Sequence, residues 1–171
     1  MSELRIEHTD FSLRRWRDGD ESSLLANADN RKIWINLRDA FPHPYTLDDA
    51  RRWIQASKDS STNFAIDVEG CAVGDIGITL QSDLFRRNAE IGFWLGEAYW
   101  GRGIMTEAVA DMVHYAFEQF ELERIFASVL EYNVGSARVL EKNGFVCEAR
   151  CRRALIKEGR LYDQLLYARL R

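Results

Sequence analysis

Two features of this chain could do chemistry by residue type and spacing. The first is Tyr99-Trp100-Gly101-Arg102-Gly103-Ile104-Met105-Thr106-Glu107, which follows an apolar run from Ala89 to Leu95. Beyond it, apolar residues recur at Met105, Ala108, Val109, Met112, Val113, Ala116, Phe117 and Phe120, steps of three and four that mark one face of a helix. The unit therefore reads strand, glycine turn, amphipathic helix. Glycines lacking Cβ let the backbone approach a bulky anion. The first N–H groups of the helix have no internal partner and lie at the positive end of its dipole. Such a turn can cradle a phosphate, although the same spacing also serves ordinary loops. The second feature is Glu90, an ionisable residue within the apolar run just upstream. It is a candidate base; alternation could equally point it to solvent or to an arginine such as Arg86 or Arg87.

Two nucleotide motifs are excluded. A dinucleotide fingerprint needs a third glycine where Thr106 stands and an acidic residue about 20 positions on, and neither is in place. A Walker loop needs Gly-Lys-Ser/Thr, which the chain lacks. The 171 residues make one domain's worth, with 46% hydrophobic and 29% charged residues, a globular profile. No apolar run approaches the ~18 residues of a membrane span, and Met1-Ser2-Glu3-Leu4-Arg5 shows no signal-peptide pattern, so a cytoplasmic protein is expected. A net charge of −4 argues against nucleic acid or an anionic membrane as partner. The basic clusters Arg14-Arg15-Trp16-Arg17 and Arg150, Arg152, Arg153 read as solvated strand faces. Cys71, Cys147 and Cys151 contain no Cys-x-x-Cys pair and read as small buried hydrophobes. His8, His43 and His114 have no metal-ligand spacing, so no metal is expected.

The elements that must position the turn follow in order. Phe11 to Trp16 reads as a first strand, and Asp18-Gly19-Asp20 turns into a helix with Leu24, Leu25 and Ala28. A second helical stretch leads to an aromatic loop, residues 34–45, holding both prolines. Trp34, Arg38, Phe41, His43 and Tyr45 make it a candidate substrate wall; the alternative is that its rings pack two helices together. Thr46 caps a helix from Leu47 to Ser57, with Asp49 completing a capping box. Phe64 to Val68, a Glu69-Gly70 turn and Cys71 to Leu80 form a hairpin. Past the helix after the glycines, Arg124 to Leu130 is a fifth strand parallel to the Ala89–Leu95 strand. Asn133 caps a helix ending at Asn143-Gly144. Two last strands, Phe145 to Arg152 and Gln164 to Leu170, flank a turn near Glu158-Gly159.

In this order of elements the chain resembles the GNAT superfamily of N-acetyltransferases along almost its whole length. The residues from Tyr99 to Ala108, Asn133-Val134-Gly135-Ser136 and Leu140-Glu141-Lys142-Asn143-Gly144-Phe145 are similar to the ribosomal-protein N-terminal acetyltransferase (RimJ/RimL) branch. So are Pro42-His43-Pro44-Tyr45-Thr46 and Asp163. The resemblance implies a mixed α/β (α+β) GNAT fold of one domain, with a central, mostly antiparallel sheet. A parallel strand pair splays at the acetyl-CoA site, and helices cover both faces. It implies acetyl-CoA as co-substrate, its pyrophosphate on the glycine turn, with contacts from Phe93, Trp94, Leu95, Trp100, Gly101, Arg102, Gly103, Ile104, Met105, Thr106, Asn133 and Ser136. Two positions depart from the superfamily. Its glycine motif begins with Arg or Gln where this chain has Ala98. The tyrosine that many members use as proton donor is Leu140 here. In the ribosomal-protein branch a serine three residues after the asparagine takes that role, and Ser136 matches it.

Acetyl transfer to an amine needs a neutral nucleophile, since an ammonium has no lone pair. The resemblance assigns the base to Glu90 and the proton donor to Ser136, while backbone N–H groups near Phe93 to Leu95 would meet the oxyanion. Trp94 and Trp100 read as packing the core and the cofactor channel, the alternative being an aromatic cage. The expected activity is direct acetyl transfer, without a covalent enzyme intermediate, to a primary amine. The acceptor is the α-amine of a peptide or ribosomal protein, or a small amine; the alternative is a non-catalytic acyl-CoA sensor. The chain is expected to act as a monomer or homodimer.

Overall fold

The computed structural model describes residues 6–171; Met1–Arg5, where no signal-peptide pattern is seen, lie outside them. The chain divides into two compact units, Met1–Gly77 with Phe93–Ala108, and Ile78–Gly92 with Val109–Arg171.

In the first unit, β1 (Ile6–Glu7), β2 (Ser12–Arg14), β3 (Asn63–Val68) and β4 (Cys71–Leu80) pair antiparallel in sequence order, with Leu13 opposite both Ile6 and Ile66. The expected first strand is thus the second, shortened at both ends, because a two-residue strand is too short to show a period. The β3–β4 hairpin closes as predicted. Val68 pairs Cys71 across Glu69 and Gly70, which both take left-handed φ (52° and 85°), as a two-residue turn matching strand twist requires. α1 (Glu21–Ala28), α2 (Arg31–Trp34) and α3 (Leu47–Ser57) supply the helices, and Thr46 and Asp49 form the expected reciprocal cap on α3. Trp16, Leu24, Ala28, Tyr45, Ala50, Ile54, Ala65 and Ala72 make a core cluster against which Phe41 and Trp94 pack.

The Arg14–Arg17 run is not a solvated face. Arg14 is 9% exposed, donating through Nε to Asp67 (2.7 Å) and through both terminal nitrogens to Asp20 (2.7 and 2.8 Å). Two carboxylates satisfy the fork, which is what lets a guanidinium leave water. Trp16 is buried as well, and only Arg17 of the run is fully exposed.

Asp75 on β4 is buried with two neutral donors, Trp16 Nε1 (3.0 Å) and Asn63 Nδ2 (3.2 Å). Burial pushes its carboxyl up to about 7, against the opposing pull of those two bonds. Because the folded value lies above the ordinary 3.8, the folded state holds the proton more tightly than the unfolded chain. Stability is therefore greatest below pH 4 for this group and falls as pH rises toward 7, by an amount on the order of a few kcal/mol. Asp75→Asn removes the titrating group, and its melting temperature should drop less than wild type between pH 5 and 8. Melting curves that run parallel over that range would show that Asp75 does not titrate there.

In the second unit, β5 (Asn88–Leu95) leaves residues 88–92, α4 (Ile104–Gln119) continues from Val109, and β6 (Arg124–Leu130), α5 (Val134–Lys142), β7 (Val146–Lys157) and β8 (Arg160–Leu170) follow. The predicted parallel pair is β5 and β6, aligned from Asn88↔Arg124 to Glu90↔Phe126. β8 inserts between β6 and β7, antiparallel to both, an order that chain sequence does not reveal. β7 and β8 run further than expected, up to a turn in which Glu158 and Gly159 again take left-handed φ. α5 ends where Gly144 reaches φ 76°. Phe145 N–H bonds Leu140 C=O and Gly144 N–H bonds Glu141 C=O, the two bonds of a Schellman stop. The result is the expected mixed α/β fold, mostly antiparallel with one parallel pair.

The cysteine expectation fails: Cys71, Cys147 and Cys151 are all exposed. Cys71 sits directly after a hairpin turn. The other two lie on β7, whose far edge pairs with no strand among the described residues and whose own residues are mostly exposed.

Candidate functional site

The predicted site residues fall into two groups. Phe93, Trp94, Leu95, Trp100 to Thr106 and the aromatic loop belong to the first unit; Glu90, Asn133 and Ser136 belong to the second.

In the first unit, β5 ends at Leu95 and a short 3-10 turn, Glu97–Tyr99, leads to the glycines. Trp100 Nε1 donates to the Leu95 carbonyl at 2.7 Å while its ring stays 46% exposed, so it ties the end of the strand to the turn rather than filling the core. Gly101 and Gly103 sit at φ 75° and 84°, and a Cβ at either would meet nothing within 4 Å. The glycines are thus required by backbone conformation, and the space above them is open. Thr106 and Glu107 N–H groups both turn to Gly103 C=O; those before them have no helical carbonyl to reach. Ile104 and Met105 are buried, so only their backbone can serve an anion. Arg102 folds back to donate to the Ala98 carbonyl (2.9 Å) and lies over the Tyr99 ring. Beside the turn, Ala26, Asn27, Asn30, Glu97 and Ala98 line an open cleft of about 530 Å³. Lys32 first, then Asn30, hold the Glu97 carboxyl below the usual range.

The aromatic loop is a stacked set. Trp34 stacks on His43 (5.2 Å between centroids), and Phe41 contacts Tyr45 (5.0 Å) and meets Trp94 edge-on (5.8 Å). Both expected roles are divided among its residues. Tyr45 is 6% exposed and belongs to the core, its hydroxyl pushed up by burial and then by Asp49 and Asp75. Arg38 and His43 face solvent. Asp29, which sequence reasoning missed, anchors the loop: it accepts the Tyr45 N–H at 3.0 Å and lies 3.6 Å from His43 Nδ1. Two glycines were missed too. A Cβ at Gly74 would stand 2.5 Å from the Trp94 carbonyl, and one at Gly96 only 2.2 Å from Asn27 Oδ1. Gly74, a glycine inside a strand pattern, was the available signal for close approach.

In the second unit, Ala89 and Ile91 are buried and Glu90 is half-buried on the opposite face of β5. The ladder to β6 ends at Glu90, and a Cβ on Gly92 would meet nothing within 4 Å. Arg87 pairs with Glu123 (2.7 Å), and Arg86 donates to the Asp83 carbonyl (3.1 Å). Asn133 Oδ1 accepts the Ser136 N–H (3.1 Å), capping α5, and its Nδ2 donates to Ser136 Oγ (2.9 Å). A backbone N–H can only donate, so this fixes the amide orientation. Ser136 Oγ is then an acceptor toward Asn133, with its own proton left to donate elsewhere. Leu140 is wholly buried, so that position is a packing site here. Of the other histidines, His8 stacks on Phe11 and lies 3.2 Å from Glu107, and His114 lies 3.2 Å from Glu118. Among the described residues no group of three His, Cys, Asp or Glu side chains converges as metal ligands, and no helix is long and apolar enough to cross a membrane.

The family profile described as acetyltransferase (GNAT) domain matches residues 10–146. The chain belongs to this GNAT family. Among its relatives, an uncharacterized N-acetyltransferase, p20, of Bacillus licheniformis is 32% identical over 179 residues, covering 100% of this chain and 92% of that one. The ribosomal-protein-serine acetyltransferase of Escherichia coli (strain K12) is 29% identical over 81% of this chain and 80% of its own. The probable N-acetyltransferase YjcK of Bacillus subtilis (strain 168) reaches 45% identity, but the match spans only about half of either chain, 48% and 45%. Among solved structures, a GNAT-family acetyltransferase from Bacillus anthracis superposes with a TM-score of 0.85 at 22% identity, covering 98% of both chains. RimL, a ribosomal alpha-N-protein acetyltransferase, in complex with coenzyme A gives 0.81 at 22% identity and the same coverage. These likenesses carry the GNAT fold. Within it Arg102 donates to the carbonyl of Ala98, the position where the chain departs from the superfamily's glycine motif.

Proposed function

We propose that this GNAT domain transfers an acetyl group from acetyl-CoA directly to a primary amine, the α-amine of a peptide or ribosomal protein, or of a small molecule. The observation that carries the reading is the glycine turn, open above two residues of positive φ at the head of α4. Those residues fit a pyrophosphate: backbone N–H groups of residues 101–105 are the donors, and the space above Gly101 and Gly103 is open. When bound, acetyl-CoA supplies an activated acyl group on a thiol leaving group. Glu90 accepts the amine proton, directly or through water, and backbone N–H groups of Phe93 to Leu95 offer donors to the carbonyl oxygen. Ser136 Oγ, oriented by Asn133, donates its proton toward the departing sulfur. Arg38, His43, Trp34 and Phe41 present the acceptor-facing wall. The relative active on ribosomal-protein serine favours a peptide α-amine among the acceptors.

The test is thiol release from acetyl-CoA over a panel of short peptides, polyamines, amino acids and aminoglycosides, read against acetyl-CoA binding by calorimetry. Turnover on at least one amine is expected; tight binding with no turnover on any would leave a non-catalytic acyl-CoA sensor. Thiols are already fair leaving groups, with pKa ~8.5, so Ser136→Ala should lower kcat about tenfold while acetyl-CoA affinity stays nearly intact. An unaltered kcat would return Ser136 to capping α5.

A further inference from the structure

The corner that presents Ser136 is pinned from two other strands. β6 ends at Leu130, and Glu131, Tyr132 and Asn133 turn the chain into α5. Glu131 N–H donates to the Asp163 carbonyl at 3.1 Å, and Asp163 N–H donates back to Glu131 Oε1 at 2.9 Å. Arg150 closes a ring, with Nε on Asp163 Oδ2 and Nη2 on Glu131 Oε2, both at 2.6 Å. The second oxygen of Asp163 accepts the N–H of Arg153 at 2.8 Å. Arg153 is a non-glycine residue at φ 54°, inside the stretch where β7 loses register between Cys151 and Leu155. Tyr132 meets Tyr162, the neighbour of Asp163, edge-on at 4.9 Å. The Arg153 N–H first, then Arg150, hold the Asp163 carboxyl below its usual range.

Arg150 is 58% exposed against 15% for Asp163, so the pair is screened from one side and its contribution to folding is modest. What the ring does is remove freedom from Glu131, at the start of the turn that leads through Tyr132 to the Asn133 cap of α5. Its charge-assisted bonds are short and directional, so they act on position more than on energy.

We propose that Asp163 is a positioning residue for acetyl transfer: through Glu131 it sets the Glu131–Asn133 corner, and with it the place of the Ser136 hydroxyl. The inference rests on the reading of Ser136 as proton donor. A misplacement of about 1 Å costs up to ~100-fold in rate, so a corner released at one anchor should cost roughly tenfold.

The experiment is a double-mutant cycle of Asp163→Ala and Ser136→Ala, with acetyl-CoA and a short peptide bearing a free α-amine. Asp163→Ala should lower kcat about tenfold in the wild-type background and less than about twofold when Ser136 is already alanine. Acetyl-CoA affinity by calorimetry should change less than about threefold in either. Should Asp163→Ala fold poorly by its melting curve, Arg150→Gln opens the same ring at an exposed position and should show the same coupling. Equal losses in both backgrounds, or no loss in either, would overturn the role of Asp163 alone. An unaltered kcat in Ser136→Ala would instead remove the Ser136 reading, and this inference with it.

Discussion

At pH 7 the Glu90→Gln protein is expected to turn over about 100-fold more slowly than wild type, and the deficit should shrink toward pH 9 to 10. General bases contribute typically 10²–10⁴-fold, and the lower figure suits a base that can work through water. Gln keeps the shape of Glu but cannot accept a proton, so the change isolates proton transfer. The recovery at high pH follows because the amine then sheds its proton unaided. Its size depends on the acceptor. An α-amine of pKa ~8 is about one-tenth neutral at pH 7, whereas a lysine-type amine of pKa ~10.4 is under ~0.1% neutral, so the second should lean on the base more heavily. Glu90 suits the role by position: it is half-buried at the last rung of the β5–β6 ladder, one residue before Ile91 and the open space over Gly92. pH–rate profiles of both proteins on one α-amine and one side-chain-type amine decide it. A mutant profile parallel to wild type throughout would take Glu90 out of proton transfer and leave water or His43 as the acceptor.

Gly103→Val is expected to weaken CoA binding at least tenfold. Two effects combine. At φ 84° a β-branched residue is strained, by about 1–2 kcal/mol, and its methyls would occupy the space where the turn admits a phosphate. They can be separated, because Gly19 has φ 102° and equally open space but lies in an unrelated turn before α1. Gly19→Val should lower the melting temperature to a similar extent and leave CoA affinity alone. If calorimetry finds the same CoA affinity in Gly103→Val as in wild type, the cradle lies elsewhere in the chain. If both variants lose affinity alike, the loss reflects stability.

Much of this was legible in the residues themselves. The glycine turn and α4 rest on conformation and periodicity within a few positions. The reciprocal cap of Thr46 and Asp49, the Asn133 cap, the Gly144 stop and the two hairpin turns also join residues at most five apart. Interactions that short are decided by the order of residues, whatever the rest of the chain does. Tertiary structure decided the rest. The same residue type, arginine, is buried at position 14 because Asp67, 53 residues away, and Asp20 meet it, and exposed at position 17. Asp75 reads as an ordinary polar strand residue until Trp16 and Asn63 enclose it. Cys147 and Cys151 read as buried until β8 inserts beside β6 and leaves β7 at the edge. Asp163 anchors a corner 32 residues earlier only because that insertion brings β8 alongside β6. In each case the outcome depends on which distant segment arrives as neighbour, since burial and charge pairing are properties of the environment and not of the residue.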